Sequence, residues 1–456
     1  MGANSSVGSE QDRDRVLRRV SPQFSQDEGQ AIKKLFVAIA GPERNVYVEA
    51  SLKAYIQQSR THLSSGGVSG LFHALLGLYS QTDVPQQSFE FFAQHTCIFL
   101  KGALQDKAER LYIFCSGGSA SLTKSSLETS LIELIKVSSE SQFVTEVCPH
   151  LANFSSDLES VQRLSSFLLN NFPDDKDFKI SQSSFEEWIS KSEISQKICH
   201  LAFSCIFYQE APPTSSVLSE FKTSPLVPTK TTHPLIRERF SSQLLDHSSL
   251  TLLSNFIPTD LRGQLYPLFS SFRHGESYSM FCKQLVGCQG PTLIVVKDTN
   301  GYLFGAFAAE NWQFGPKFKG NGNCFLFTLS PVMGVYLPSG YNENYMYLEQ
   351  NAQTLPNGLG MGGQMEYFGL WLSADYGQGH SKAKPKCSTY NSPRLSKEEE
   401  FNVQLLEVWG VGDPVLPEEV DSGPSILDKD AAASALLEMA GKKLYSKDIR
   451  QAPDDS

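Results

Sequence analysis

The stretch PTLIVVKDTNGYLFGAFAAENW, Pro291 to Trp312, decides the fold of this chain. Leu293 to Val296 is apolar and rich in β-branched residues, and Tyr302 to Ala308 is apolar again. Between them Lys297-Asp298-Thr299-Asn300-Gly301 supplies turn chemistry. Asn-Gly flanked by apolar runs predicts strand, tight turn, strand, with Gly301 able to take positive φ. The pattern continues outward through GNGNCFLFTL from Gly320, YNENYMYL from Tyr341, LGMGGQMEYFGLWL from Leu359 and FNVQLLEVWG from Phe401. Short aromatic strands separated by Gly and Asn turns predict one compact β-rich domain.

Several separated motifs in this block resemble the TLDc domain. They are Phe304-Gly305-Ala306-Phe307 with Trp312, Cys324-Phe325-Leu326-Phe327, and Gly360, Gly362 and Gly363 ahead of Gly369-Leu370. Gly379-His380-Ser381 and Glu407-Val408-Trp409 complete the set. Met361 interrupts a glycine run that is often unbroken in the family. Sequence from about Pro234 to Phe281 reads as a helical lead-in, so the resemblance covers roughly 180 residues, an ordinary domain size. It implies a two-sheet β-sandwich flanked by helices, known for oxidation-resistance phenotypes and for binding the V-ATPase, with no agreed catalytic mechanism.

At 456 residues the chain is long enough for two or three domains. A 40% hydrophobic fraction supports a large core, and a net charge of −10 with no basic stripe argues against nucleic acid as a partner. Nine cysteines without a Cys-x-x-Cys pair read as mostly buried thiols of a reducing compartment. No apolar run reaches the ~18 residues needed to cross a bilayer, and no signal-peptide core is seen.

The chain begins Met1-Gly2-Ala3-Asn4-Ser5-Ser6. Removal of Met1 would expose Gly2, and Ser6 fills the serine position of the N-myristoylation pattern. One myristoyl chain binds bilayers only marginally, so a second signal is needed. Arg13, Arg15, Arg18 and Arg19 are diluted for that purpose by Asp12 and Asp14, which leaves a membrane-resident protein as the expected second anchor.

Residues 24 to 208 read mostly helical. Asp27-Glu28 opens a helix with Ile32, Leu35, Phe36 and Ile39 on one face, Gly41-Pro42 breaks it, and Val46 to Ile56 resumes. Asp106 to Phe114, the loop from Cys115 to Thr123, and Leu127 to Val137 repeat the plan of helix, short loop and helix, which is that of an EF-hand. With Gly2 ahead of it, this half resembles the calcineurin-B and neuronal calcium sensor group. The metal chemistry is missing. With Cys115 at loop position 1, positions 3, 5, 9 and 12 hold Gly117, Ser119, Thr123 and Ser126. The loop around Ala40 offers Pro42, Arg44, Val48 and Ser51. A third loop, Pro173 to Ser184, keeps Asp175 and Asp177 but ends on Ser184, and it is the one place where residual calcium binding stays open.

Ala211 to Pro234 is Pro-rich and reads as a semi-rigid spacer, with relative motion of the two halves as the expectation. After Trp409 the chain turns acidic, and Asp430 can cap a helix from Ala431 to Tyr445. Its stripe of Ala433, Leu437, Ala440 and Leu444 is widened by Leu436 and Met439. A helix this short needs a docking surface, on its own domain or in a partner's groove. Leu436, Leu437, Met439 and Leu444 are therefore the candidate partner-binding residues.

No catalytic constellation is evident. There is no Gly-x-Ser-x-Gly elbow and no phosphate loop, and Gly315-Pro316-Lys317 reads as a turn. The histidines show no metal spacing. Asp246-His247-Ser248 suggests a triad fragment, but helical neighbours lie about 100° apart and cannot converge on one atom. Glu310 with His380 is the remaining acid–base candidate, Trp312, Trp371 and Trp409 read as packing residues, and the glycines near 360 read as a structural loop.

The expected architecture is α+β. A lipidated tail (1–22) precedes a degenerate, all-helical EF-hand-like domain (23–210) and a Pro-rich linker (211–234). A TLDc sandwich (235–412) and an acidic tether with a C-terminal helix (413–456) follow. The whole arrangement resembles the mTOR-associated members of the TLDc family. That resemblance implies a non-enzymatic adaptor on the cytosolic face of lysosomes. Its implied partners are the V-ATPase, an mTOR complex and the lysosomal membrane surface, with no cofactor or metal. An antioxidant or hydrolytic enzyme using a pocket of the sandwich is the alternative.

Overall fold

The computed structural model describes residues 10–59, 86–116, 119, 121–140, 157–175, 177–208, 227–228, 242–261 and 264–412. Gly2, most of the Pro-rich spacer and the tail with Leu436, Leu437, Met439 and Leu444 lie outside the described residues.

Helix α1 (Glu10–Val20) leads to α2 (Gln26–Ala40). Ser25 starts α2 with a reciprocal cap: its hydroxyl accepts from Glu28 N at 3.2 Å while the Glu28 carboxylate accepts from Ser25 N at 2.8 Å. The predicted stripe of Ile32, Leu35, Phe36 and Ile39 is buried. Gly41, at φ 93°, stops the helix. Where the sequence predicts that helix resumes at Val46, the chain first forms strand β1 (Val46–Val48), and α3 (Glu49–Ser59) begins after it. β1 pairs antiparallel with β2 (Gln86–Ser88), Tyr47 opposite Gln87, and Ser88 then caps α4 (Phe89–Lys101).

The same plan recurs. Helix α5 (Leu104–Ser116), β3 (Leu122–Thr123) and α6 (Lys124–Glu140) face α7 (Leu158–Leu168), β4 (Lys179–Ile180) and α8 (Gln182–Lys191). Leu122 stands opposite Ile180 in the β3–β4 ribbon. Loops of helix–loop–helix units linked in pairs by a short ribbon are the EF-hand arrangement. The strand–helix unit at Gln86–Lys101 was not anticipated from sequence. Helix α9 (Glu193–Phe207) closes this half, stacking Phe203 on Phe99 with ring centroids 4.4 Å apart.

In the sheet-rich half, β7 (Thr292–Asp298) and β8 (Leu303–Ala308) form the predicted hairpin, with Gly301 at φ 83°. The Asp298 carboxylate tightens the turn by accepting from Asn300 N and Tyr302 N at 2.9 and 2.8 Å. β10 (Phe325–Ser330) and β11 (Gly334–Tyr336) extend the layer beyond β8. On the other side of β7 lies β16 (Glu400–Val411), a strand of 12 residues, and beyond it β6 (Gln264–Ser270), which pairs in parallel with the short β5 (Val227–Pro228). The first residues of β16 pair instead with β15 (Gln378–His380). From there the second layer runs through β14 (Tyr367–Ser373), β13 (Gly358–Gln364), β12 (Met346–Glu349) and β9 (Gly315–Lys319). The two layers face each other: a Cβ built on Gly369 of β14 would lie 2.9 Å from Leu326 Cδ1 of β10. This is the expected two-sheet sandwich, made continuous by β16.

Three expectations are corrected. The lead-in from Pro234 to Phe281 is not helical throughout: α10 (His247–Phe256), α11 (Ser271–His274) and α12 (Tyr278–Gly287) flank strand β6. Gly315-Pro316-Lys317 opens β9 rather than forming a turn, and Pro316 is tolerated because β9 is an edge strand. The glycines near 360 lie in strand β13, not in a loop.

The halves also meet more firmly than the spacer suggests. Phe256 of α10 sits edge-on between Phe167 of α7 and Phe325 of β10, with centroids 6.5 Å apart in both pairs. Lys197 Nζ donates to Asn255 Oδ1 at 3.3 Å, and buried residues of both halves belong to one apolar core. This packing opposes the free relative motion expected from composition.

Candidate functional site

The glycines of the signature serve close packing. A Cβ on Gly360 would meet the Phe368 ring at 2.5 Å, and one on Gly363, held at φ 85°, would meet Tyr367 O at 2.2 Å. The intervening Met361 is fully buried between its strand partners Met346 and Leu370. Removing side chains along β13 lets Phe368 lie flat beside it. Phe368 stacks on Trp371, and Trp371 stacks on His380, with centroids 4.6 and 5.9 Å apart.

Trp371 and His380 of that stack wall a polar cleft of about 370 Å³, lined also by Ser373, Gln378, Glu400 and Asn402. His380 is the titratable group closest to chemistry here. Burial, aided by Lys382 and opposed by Glu400, brings its pKa down to about 4, so the ring is neutral at pH 7. Its Nδ1 is buried without a hydrogen-bond partner. Glu310, the acid–base partner considered from sequence, accepts instead from Asn321 Nδ2 at 2.8 Å. Among the described residues no hydrogen bond or ion pair joins Glu310 to His380.

Asp246-His247-Ser248 also separates by role. Asp246 is the N-cap of α10, accepting from Ser249 N and Ser249 Oγ at 2.8 and 2.6 Å. His247 is buried against α9 and α6, its pKa lowered to about 4 by loss of solvent despite neighbouring Asp246. Glu407, named from sequence only as part of the signature, is a carboxylate whose structural role that reading did not assign. It is 1% exposed and accepts from Ser242 Oγ, Gln243 N and Trp409 Nε1 at 2.6, 2.8 and 3.1 Å. Burial pushes its pKa up, and its bonds tie the lead-in segment to β16. An acidic residue between Leu406 and Val408 in an apolar strand was the available signal. Trp312 and Trp409 are buried, and the cysteines among the described residues form no disulfide, all of them buried except Cys97.

In the helical half the loop positions that would hold calcium are spent on helix starts. Ser126, at position 12, exchanges hydrogen bonds with Thr123: each hydroxyl accepts from the other residue's N–H at 3.2 Å. Ser184, at position 12 of the third loop, donates its N–H to Ser181 Oγ at 3.1 Å. Asp175 Oδ1 accepts from Asp177 N at 3.0 Å. A bidentate carboxylate is lacking at both twelfth positions, so these residues do not fit a tight calcium site. Among the described residues no three His, Cys, Asp or Glu side chains gather as a metal group, and no helix is long and apolar enough to cross a membrane. Arg13, grouped from sequence with the exposed basic residues of α1, is only 5% exposed and so is withdrawn from any membrane-facing role. An open groove of about 410 Å³ runs between α4, α5, α8 and α9, with Phe99, Leu104, Leu111, Ile189 and Phe203 along its walls.

Comparison with known proteins assigns the sheet-rich half. The TLDc domain family model matches residues 238–412. The MTOR-associated protein MEAK7 of Gallus gallus is 49% identical over 212 residues, 46% of this chain and 45% of that protein. The protein of the same name from Homo sapiens is 46% identical over 212 residues, 46% of each chain. Nuclear receptor coactivator 7 of Homo sapiens is 36% identical over 177 residues, 39% of this chain and 18% of that protein. The matched stretch thus spans about half the length of the MTOR-associated relatives. Residues 238–412, the sheet-rich half, therefore match the TLDc domain, and it is over this stretch that the chain is similar to TLDc-domain proteins.

Proposed function

We propose that this protein is a non-enzymatic adaptor in mTOR signalling, tethered to the cytosolic face of lysosomes and binding the V-ATPase. The observation that carries the mTOR assignment is the 46–49% identity to proteins named as mTOR-associated. The V-ATPase assignment rests on the family resemblance alone. Membrane tethering rests on the Met1-Gly2 start with Ser6, which meets the myristoylation pattern. An acyl chain that binds weakly by itself gains avidity when a protein contact is made at the same membrane. In this reading Leu436, Leu437, Met439 and Leu444 supply one such contact, as the apolar stripe of a helix beyond residue 430. A regulatory rather than catalytic role is supported by the chemistry of the domain's titratable groups. Burial holds His380 and His247 neutral and raises the thiols of Cys282, Cys288, Cys324 and Cys387, the opposite of nucleophile activation.

Affinity purification from lysosomal membranes tests the proposal, using wild type, Gly2→Ala and a chain ending at Asp421. Wild type is expected to retain V-ATPase and mTOR components. Gly2→Ala is expected to leave the membrane fraction, and the truncated chain to stay folded while losing a partner. Unchanged recovery of the same partners by both variants would remove lipid and tail from the mechanism.

A further inference from the structure

We propose that the loop Pro42–Asn45 is a guanidinium-binding site and that Arg13 is its tethered ligand, doing there what calcium does in a metal-loaded loop of this kind. The geometry is specific. Arg13 Nη2 donates to Pro42 O at 2.9 Å and to Arg44 O at 3.0 Å, and Nε donates to Asn45 Oδ1 at 3.2 Å. The guanidinium carbon lies 5.8 Å from the centroid of the Phe36 ring. With Ala40 as loop position 1, the acceptors belong to positions 3, 5 and 6. In a calcium loop, side chains at positions 3 and 5 face the ion and a glycine at 6 makes the sharp turn. Here those two positions turn in their main-chain oxygens, and Asn45 replaces the glycine with a further oxygen.

The chemistry of the cage selects its occupant. Calcium takes six to eight oxygens, several of them charged. Two carbonyls and one amide oxygen are neutral and too few. They do suit a single delocalised charge that is weakly hydrated and carries its donors in a fixed fork. Burial lowers the Arg13 pKa while Glu10 works against the change, and a guanidinium starts so high that it keeps its charge. The plug also fixes α1. Leu17 packs toward Gly29 of α2, and Arg19 reaches Glu90 of α4 at 2.7 Å. Exposed pairs such as Arg19–Glu90 hold a helix only weakly, so its anchors are Arg13, Leu17 and Asp14, whose carboxylate accepts from Lys33 Nζ of α2 at 2.5 Å. A loop of this plan thus stays shut on an internal cation, and α1 stays docked at any calcium concentration.

Hydrogen exchange read by mass spectrometry on the full chain tests this, following residues 10–20 and 41–48. Arg13→Ala is expected to raise exchange in both segments about tenfold or more. Guanidinium chloride at a sub-denaturing concentration is expected to restore protection, while equal methylammonium chloride, sodium chloride or calcium does not. Arg13→Lys, which keeps the charge without the fork, gives intermediate protection and serves as the second variant should Arg13→Ala fail to fold. Calcium leaves wild type unchanged. Unaltered exchange in Arg13→Ala, equal recovery with methylammonium or sodium, recovery with calcium, or wild-type protection in Arg13→Lys would each overturn the assignment.

Discussion

His247 should make the joint between the two halves acid-sensitive. Its ring is 3% exposed, and Nδ1 lies 3.3 Å from Thr251 Oγ1 while Nε2 has no partner, beside Ile194, Ile198 and Leu201 of α9. Loss of solvent lowers the pKa from 6.5 to about 4. The unfolded chain therefore binds a proton more readily than the folded one between those values. A depressed histidine contributes stability that is fully present above pH 6.5 and is lost as pH falls toward 4. The full gap corresponds to about 3 kcal/mol, and the part expressed between pH 7 and pH 5 is about 2 kcal/mol. The assay is urea denaturation of wild type and His247→Leu at both pH values. Subtracting the two pH dependences cancels every group the proteins share. The variant, which replaces an unpartnered polar ring by an aliphatic side chain in apolar surroundings, should fold at pH 7 and lose about 2 kcal/mol less on acidification. Equal losses in the two proteins would refute the reasoning.

Phe256→Ala should weaken the same joint by about 1–3 kcal/mol and expose it to limited proteolysis, because the ring touches both Phe167 and Phe325; an unchanged digestion pattern would count against a packed junction. Gly363→Ala should cost at least about 1 kcal/mol, read as a lower melting temperature, since φ is 85° and the new methyl group meets Tyr367 O. Glu407→Gln should destabilise by about 1–3 kcal/mol in chemical denaturation, because an amide nitrogen cannot accept every hydrogen bond that Ser242, Gln243 and Trp409 now donate.

What the sequence declares, and what it conceals, follows the range of the interactions. The β7–β8 hairpin was legible because its turn chemistry sits between its own strands, and α2 because its apolar stripe is contained in the helix, whereas its cap, Ser25, was not read. β6 was misread because QLYPLFS acquires its conformation from β16, a partner some 140 positions later in the chain, where the ladder shifts register between Val408 and Trp409 beside Pro267. β1 was folded into a helix for the same reason: its partner β2 lies about 40 residues away. Of the candidate site, the signature tryptophans were legible as packing residues, as their burial bears out, but the purpose of the glycines was not visible. Only the stacked Phe368, Trp371 and His380 show what the missing side chains make room for. Arg13 was grouped with its exposed neighbours because nothing in its local sequence tells a buried cation from a solvated one.

Because β16 threads both layers, neither can be dismantled alone. Its first residues hold β15, and its later ones hold β7 and β6. A stop codon upstream of Glu400 would therefore strip that strand from both layers in a single event, leaving the edges of β15, β7 and β6 bare with no stable half-product. Cells should consequently contain this domain either whole or as material for degradation, and any splice form that ends before Val411 should be a loss of the protein rather than a shorter version of it.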